Sequence, residues 1–153
     1  MALYAAPIEH DELLTLIPHK GKMVLIDRLT AFGIDAWTVV SETVITEQNL
    51  FYDKALGGVP NFVLFEFIAQ TISAITGIVT REKHLPVNMG FILSVSALNF
   101  SVPKLSAGDC ITVSAARTAE AGEVYSFEAK VCANGAEIGS AKLTVMEVKA
   151  QTA

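Results

Sequence analysis

The sequence predicts an α+β domain in which one long helix is wrapped by a curved antiparallel sheet of about six strands. Three observations lead there. Residues 61–81 are apolar almost throughout and follow Pro60, a residue suited to a helix start. After Pro86 the apolar residues change from helical spacing to alternation, over four strand-length stretches divided by Pro, Gly and Asn. Two further β-rich stretches precede the helix. The apolar face of such a sheet needs a cover, and residues 61–81 are the one stretch long and apolar enough to supply it.

Size and composition fit this plan. A chain of 153 residues that is 52% hydrophobic matches a single domain, spanning 1–153, with one sizeable core. Its net charge of -5, with no long basic run, argues against nucleic acid and anionic membrane as partners, since both need clustered Lys and Arg. The start carries Glu9, Asp11 and Glu12 where a secretory or transit segment would be basic or uncharged, so cytoplasmic residence is expected. The two cysteines, Cys110 and Cys132, lack metal-ligand spacing; both are expected to be reduced, and no metal is expected.

From the N-terminus, Leu13, Leu14 and Ile17 have helical spacing and Pro18 closes the segment, which predicts a short helix over about 9–17. Residues 23–29 and 37–45 read as strands, with turn chemistry at Phe32, Gly33, Ile34 and Asp35. A loop over 46–59 contains Gly57 and Gly58. The central helix then spans about 61–81. Within it, 62–79 approaches the length of a membrane span, but Glu66 and Gln70 interrupt the run, so burial inside protein explains it better than lipid. Strands follow at 87–100, 109–118, 123–133 and 137–148. In the last three, Ile111/Val113/Ala115, Tyr125/Phe127/Ala129/Val131 and Ala141/Leu143/Val145 alternate with more polar neighbours, giving each strand one core face. A turn centred on Ala121 would set Cys110 opposite Cys132, both off that face. The whole is the hot-dog arrangement.

Three motifs carry a resemblance. Leu16-Ile17-Pro18-His19-Lys20-Gly21-Lys22-Met23-Val24-Leu25-Ile26-Asp27-Arg28 resembles the opening of the bacterial 3-hydroxyacyl-ACP dehydratases. Pro60-Asn61-Phe62 leading to Glu66, Ala69 and Gln70 is similar to their central-helix motif, and Phe100-Ser101-Val102-Pro103 with Gly108-Asp109 to their strand corner. The dehydratase-like proteins of aryl-polyene-type biosynthetic clusters share the pattern most fully.

The resemblance implies a 3-hydroxyacyl-ACP dehydratase-like protein of fatty acid or polyketide-type biosynthesis, removing water from a 3-hydroxyacyl thioester. No cofactor of its own is implied, since the acyl group rides on the phosphopantetheine arm of an acyl carrier protein or of CoA. A homodimer is implied, or a heterodimer with another hot-dog dehydratase. The family's carboxylate maps onto Glu66. Its histidine lies fourteen positions earlier, where this chain has Tyr52. An unperturbed phenol titrates near ~10 against ~6.5 for imidazole, so it is a poor base at neutral pH.

The residues themselves leave alternatives open. Glu66, if buried, would favour its protonated form, which suits a general acid; it could equally anchor a neighbouring loop. Gln70, four residues on and on the same face, could orient Glu66 or tether a loop. His19 is the candidate to replace the missing base, or else a loop histidine near the first helix. His10 and His84 read as surface residues. After Pro60, the Asn61 main-chain N–H is the implied donor to the thioester carbonyl. Lys20, Lys22, Arg28 and Lys104 could form a docking patch for an acidic carrier. Thioester hydrolysis on the same fold, with Glu66 activating water, is one alternative; a non-catalytic or half-active subunit of a heteromeric dehydratase is the other.

Overall fold

A computed structural model describes residues 2–86 and 88–149. Helix α1 covers His10–Leu13 and helix α2 covers Leu64–Glu82. Eight strands follow the order β1 Arg28–Gly33, β2 Thr38–Val44, β3 Gly58–Pro60, β4 Asn88–Phe100, β5 Lys104–Ser106, β6 Cys110–Ala121, β7 Val124–Ala133 and β8 Ala136–Lys149. Six of them form one antiparallel sheet in the order β1-β2-β6-β7-β8-β4, and β3 pairs with β5 in a separate two-stranded ribbon. This is the predicted hot-dog architecture, with the ribbon added: β3 at the end of the 46–59 loop, and β5 between the strands expected at 87–100 and 109–118.

The long helix is the axis of the core. A 3-10 turn, Asn61–Val63, leads into α2 from Pro60, whose φ of -56° is already suited to a helix start. Leu64, Phe67, Ile68, Ile75 and Ile78 are buried on one face of α2, and the sheet meets them with Val39, Ile111, Val113, Phe127, Val131 and Leu143. Each such side chain, fully buried, contributes about 1.5–3 kcal/mol. Thr71 is buried among them without cost because its hydroxyl bonds to the Phe67 carbonyl at 2.7 Å and to Ser41 Oγ at 2.7 Å. By length and composition Asn61–Glu82 could cross a membrane; 67% of its most apolar window is buried within the fold.

Three local expectations are corrected. The first helix stops at Leu13 and not at 17, because the Thr15 and Leu16 N–H groups bond three residues back, to the Glu12 and Leu13 carbonyls, and the chain tightens into turns before Pro18. The first strand begins at Arg28 and not at 23. The Met23 carbonyl and the Leu25 N–H are bonded to the Gln70 side chain, at 2.7 and 2.8 Å, so they are not free to join a ladder. The β6–β7 hairpin turns at Gly122 and Glu123, with a bulge between Arg117 and Ala119. This shifts the register, so Cys132 faces Thr112 and Cys110 faces Val44. Both thiols are unbonded and lie off the core face, since their neighbours Ile111 and Val131 point inward. The first residue of the strand expected over 87–100, and residues 150–153, lie outside the described residues.

Candidate active site

The segment that carries His19 crosses α2 in an irregular path, fixed at both ends by side chains of the helix. On the near side Gln70, itself fully buried, holds Met23 and Leu25 as described. Gly21, at φ 57°, turns the chain into the short 3-10 turn Gly21–Met23; a side chain would resist that left-handed conformation. The turn sets His19 over the first turn of α2, where Glu66 stands in a position that the helix dipole favours for a carboxylate.

His19 Nε2 lies 3.0 Å from Glu66 Oε1. Gln70 Nε2 reaches the same oxygen at 3.2 Å. The other ring nitrogen of His19, Nδ1, is buried with no hydrogen-bond partner, which leaves Nε2 as the nitrogen able to exchange a proton. Glu66 is not buried as expected. Its side chain is 34% exposed and that of His19 27%, because both stand in the wall of a cavity of about 640 Å³ between α2 and the β4–β8 edge of the sheet.

The rest of that wall explains its shape. Ala69, Ser73, Thr76, Gly77 and Thr80 continue from Glu66 along one face of α2, with Ile92, Leu143 and Val145 opposite. Small side chains at three- and four-residue spacing leave a trough where bulky ones would fill it. This stripe was readable in the sequence as a run of small residues in phase with Glu66. Arg81 and Glu147, which also line the cavity, carried no comparable pattern.

The remaining candidates stand elsewhere. Tyr52 is half-buried in the loop before β3, packed against the core, and its N–H donates to the Asn49 carbonyl at 3.0 Å. Pro60 pairs with Lys104 in the ribbon. Asn61, the implied thioester donor, gives its N–H to the Pro103 carbonyl at 3.2 Å and its side-chain amide to the Val102 carbonyl at 2.9 Å, so neither is free in this chain. His10 and His84 are exposed. The supposed docking patch disperses: Arg28 pairs with Glu9 at 3.5 Å, Lys104 bonds to the Leu56 carbonyl at 2.9 Å, and of the four cations only Lys20 lines the cavity. Among the described residues, no group of three or more His, Cys, Asp or Glu could hold a metal ion.

A helix-borne carboxylate in contact with a histidine, both in the wall of a trough beneath a curved sheet, sets the chain among the hot-dog dehydratases. Comparison with known proteins narrows the class: the chain belongs to the ApeP-like family, ApeP dehydratase, whose profile matches residues 12–153. It is 22% identical over 144 residues to the 3-hydroxyacyl-[acyl-carrier-protein] dehydratase FabZ of Rhizobium leguminosarum bv. trifolii, covering 93% of this chain and 90% of that protein. It is 27% identical over 140 residues to the bifunctional enzyme LpxC/FabZ of Chlorobaculum tepidum, covering 88% of this chain but 29% of that larger protein. Among solved structures, the dehydratase heterocomplex ApeI:P from Xenorhabdus doucetiae superposes with a TM-score of 0.81 at 19% identity, over 95% of this chain and 93% of that one. The resemblance read from the three motifs therefore holds, and the hydrolase alternative has the weaker support.

Proposed function

We propose that this chain eliminates water from a 3-hydroxyacyl thioester, with His19 as base and Glu66 as acid. The observation that carries the proposal is the 3.0 Å contact between His19 Nε2 and Glu66 Oε1 in the cavity wall. Neutral His19 removes the α-proton, the Cα–H electrons form the Cα=Cβ bond, and the Cβ–O bond breaks as Glu66 protonates the departing hydroxyl. The products are a 2-enoyl thioester and water; His19 is left with one proton more and Glu66 with one fewer. The direct contact between them then returns that proton, so no external donor is needed to restore the pair. Gln70, bonded to Glu66 and to the Met23 carbonyl at once, holds the carboxyl in place.

The substrate this reading requires is a thioester on a phosphopantetheine arm, with an acyl carrier protein favoured over CoA by the likeness to FabZ, and it needs no further cofactor. Cytoplasmic residence goes with it. The acyl chain would lie in the trough beyond Glu66, and Asn61, Pro60 and Tyr52 would act through the loops beside it and not on the reacting atoms. The uncovered edge of the sheet supports a dimer. Strand β4, thirteen residues long, contains no charged residue and exposes Phe91, Leu93, Val95 and Leu98. An edge without charge or proline to protect it is suited to pairing with another strand. A second copy or a related hot-dog subunit would serve, and the likeness to the ApeI:P heterocomplex favours the latter.

The test compares the full chain with its His19→Ala and Glu66→Gln variants on a 3-hydroxyacyl-ACP, scored by formation of the 2-enoyl product. Enoyl formation lost in both folded variants supports the dyad. Full turnover in either one removes it, and release of free acid from acyl-ACP at a higher rate than enoyl formation would favour hydrolysis.

A further inference from the structure

The segment bearing His19 is held on α2 at a second place, remote from Gln70. Gly77 packs so closely under it that an added Cβ would stand 2.3 Å from the Leu16 carbonyl oxygen, too near for any side chain. One turn on, Arg81 sends Nη2 to the Thr15 carbonyl at 2.9 Å and Nη1 to the Gly77 carbonyl at 3.0 Å. The guanidinium thereby joins helix and segment by one rigid group, with Leu16 and Ile17 buried beside it. His19 lies between this clamp and the one formed by Gln70. Eleven residues of helix separate Gly77 from Glu66, about 16 Å at helical rise.

We propose that Gly77 and Arg81 are positioning residues for the His19–Glu66 pair: together they fix the height and register of the segment 15–19, and so the distance between imidazole and carboxyl. The reasoning is mechanical. A segment fixed only at Met23 and Leu25 would pivot about Gly21, whose left-handed backbone leaves it the freest point of the path. With Thr15 and Leu16 also fixed, pivoting is blocked and Nε2 is confined over Glu66. Displacements of about 1 Å at reacting groups can cost on the order of 100-fold in rate. Gly77 and Arg81 line the end of the cavity away from Glu66, so with an acyl chain too short to reach them the clamp can set turnover through the dyad alone.

This inference rests on the dyad reading, and the experiment separates the two. In the full chain, with its partner subunit if one is required, Gly77→Ala and Arg81→Met are compared with Arg81→Lys. The expected result for Gly77→Ala and Arg81→Met is a fall of about 10- to 100-fold in kcat on a short 3-hydroxyacyl-ACP with little change in KM. Arg81→Lys, which keeps a donor for the Thr15 carbonyl, recovers much of the loss. The second reading is the ¹⁵N resonance of His19 Nε2, which should move in Arg81→Met toward its position in Glu66→Gln. Should Gly77→Ala fail to fold, the two Arg81 variants decide. Unchanged kcat together with an unmoved Nε2 resonance in Arg81→Met overturns the clamp, even where His19→Ala is inactive. Full turnover by His19→Ala overturns the dyad instead, and the resonance still reports whether the clamp holds the imidazole.

Discussion

The two faces of α2 differ in almost every respect although they alternate within the same nineteen residues. Leu64, Phe67, Ile68, Thr71, Ile75 and Ile78 face the sheet and are sealed by it, whereas Glu66, Ala69, Ser73, Thr76 and Thr80 face the cavity. At 100° per residue the two sets lie roughly opposite one another. One face supplies stability through bulk, the other supplies space through lack of it. Substitutions on the first should therefore be read in melting curves and on the second in turnover, with little exchange between them.

The strongest test of that division is on the cavity side. His19→Ala and Glu66→Gln should each lower kcat by about 10²- to 10⁴-fold, the usual contribution of a proton-transferring side chain, while denaturant midpoints stay near that of the parent. If either variant instead unfolds the protein, the two faces are not independent. On the sealed side, Phe67→Ala should cost about 3–5 kcal/mol in denaturant unfolding, and the fraction that remains folded should turn over short substrates normally. Intermediate in size, Ser73→Leu fills the trough; kcat/KM for a long acyl chain should fall about 10-fold or more, with short chains barely affected. Equal loss for both would place the acyl chain elsewhere. Thr71→Val removes the hydrogen bond to Ser41 and should cost about 1 kcal/mol, without effect on turnover. The smallest effect concerns Cys110, remote from both faces. Its thiol is pushed up from the ordinary value by burial first, and then by the carboxylates of Glu42 and Asp27, so near pH 8 it should be alkylated more slowly than a free thiol. Raising the pH should narrow the gap.

How much of this was legible in the sequence depends on whether a pattern or a contact was needed. The helix was readable because its apolar residues recur with one period over a long stretch, and strands β6, β7 and β8 because their alternation shows which face is inside. Where the exact turn residues were needed, the reading slipped: the hairpin turns at Gly122 and Glu123 and not at Ala121, which parted Cys110 from Cys132, and the bulge beyond Arg117 moves the register back by one residue only. Where a side chain bonds to distant backbone, nothing local gives notice. Gln70 prevents residues 23–25 from joining a strand, Arg81 ties the Thr15 carbonyl to α2, and the Val102 and Pro103 carbonyls occupy Asn61; all three are long-range contacts. His19 and Glu66 were found because each departs from its surroundings or stands in a motif. Their 3.0 Å approach could come only from the fold.

The convergence of His19 and Gln70 on a single oxygen has one more consequence. Because both contacts fall on Oε1, the two oxygens of Glu66 are chemically distinct before any substrate arrives. Oε1 is committed to the imidazole and the amide, and Oε2 is the oxygen left to meet a hydroxyl. In the proposed reaction a proton passed back by the imidazole arrives at Oε1, and a half-turn about Cγ–Cδ presents it to the next hydroxyl. The plane of a single side chain, held by a glutamine, thus sorts the carboxyl into one oxygen for its protein neighbours and one that faces the cavity.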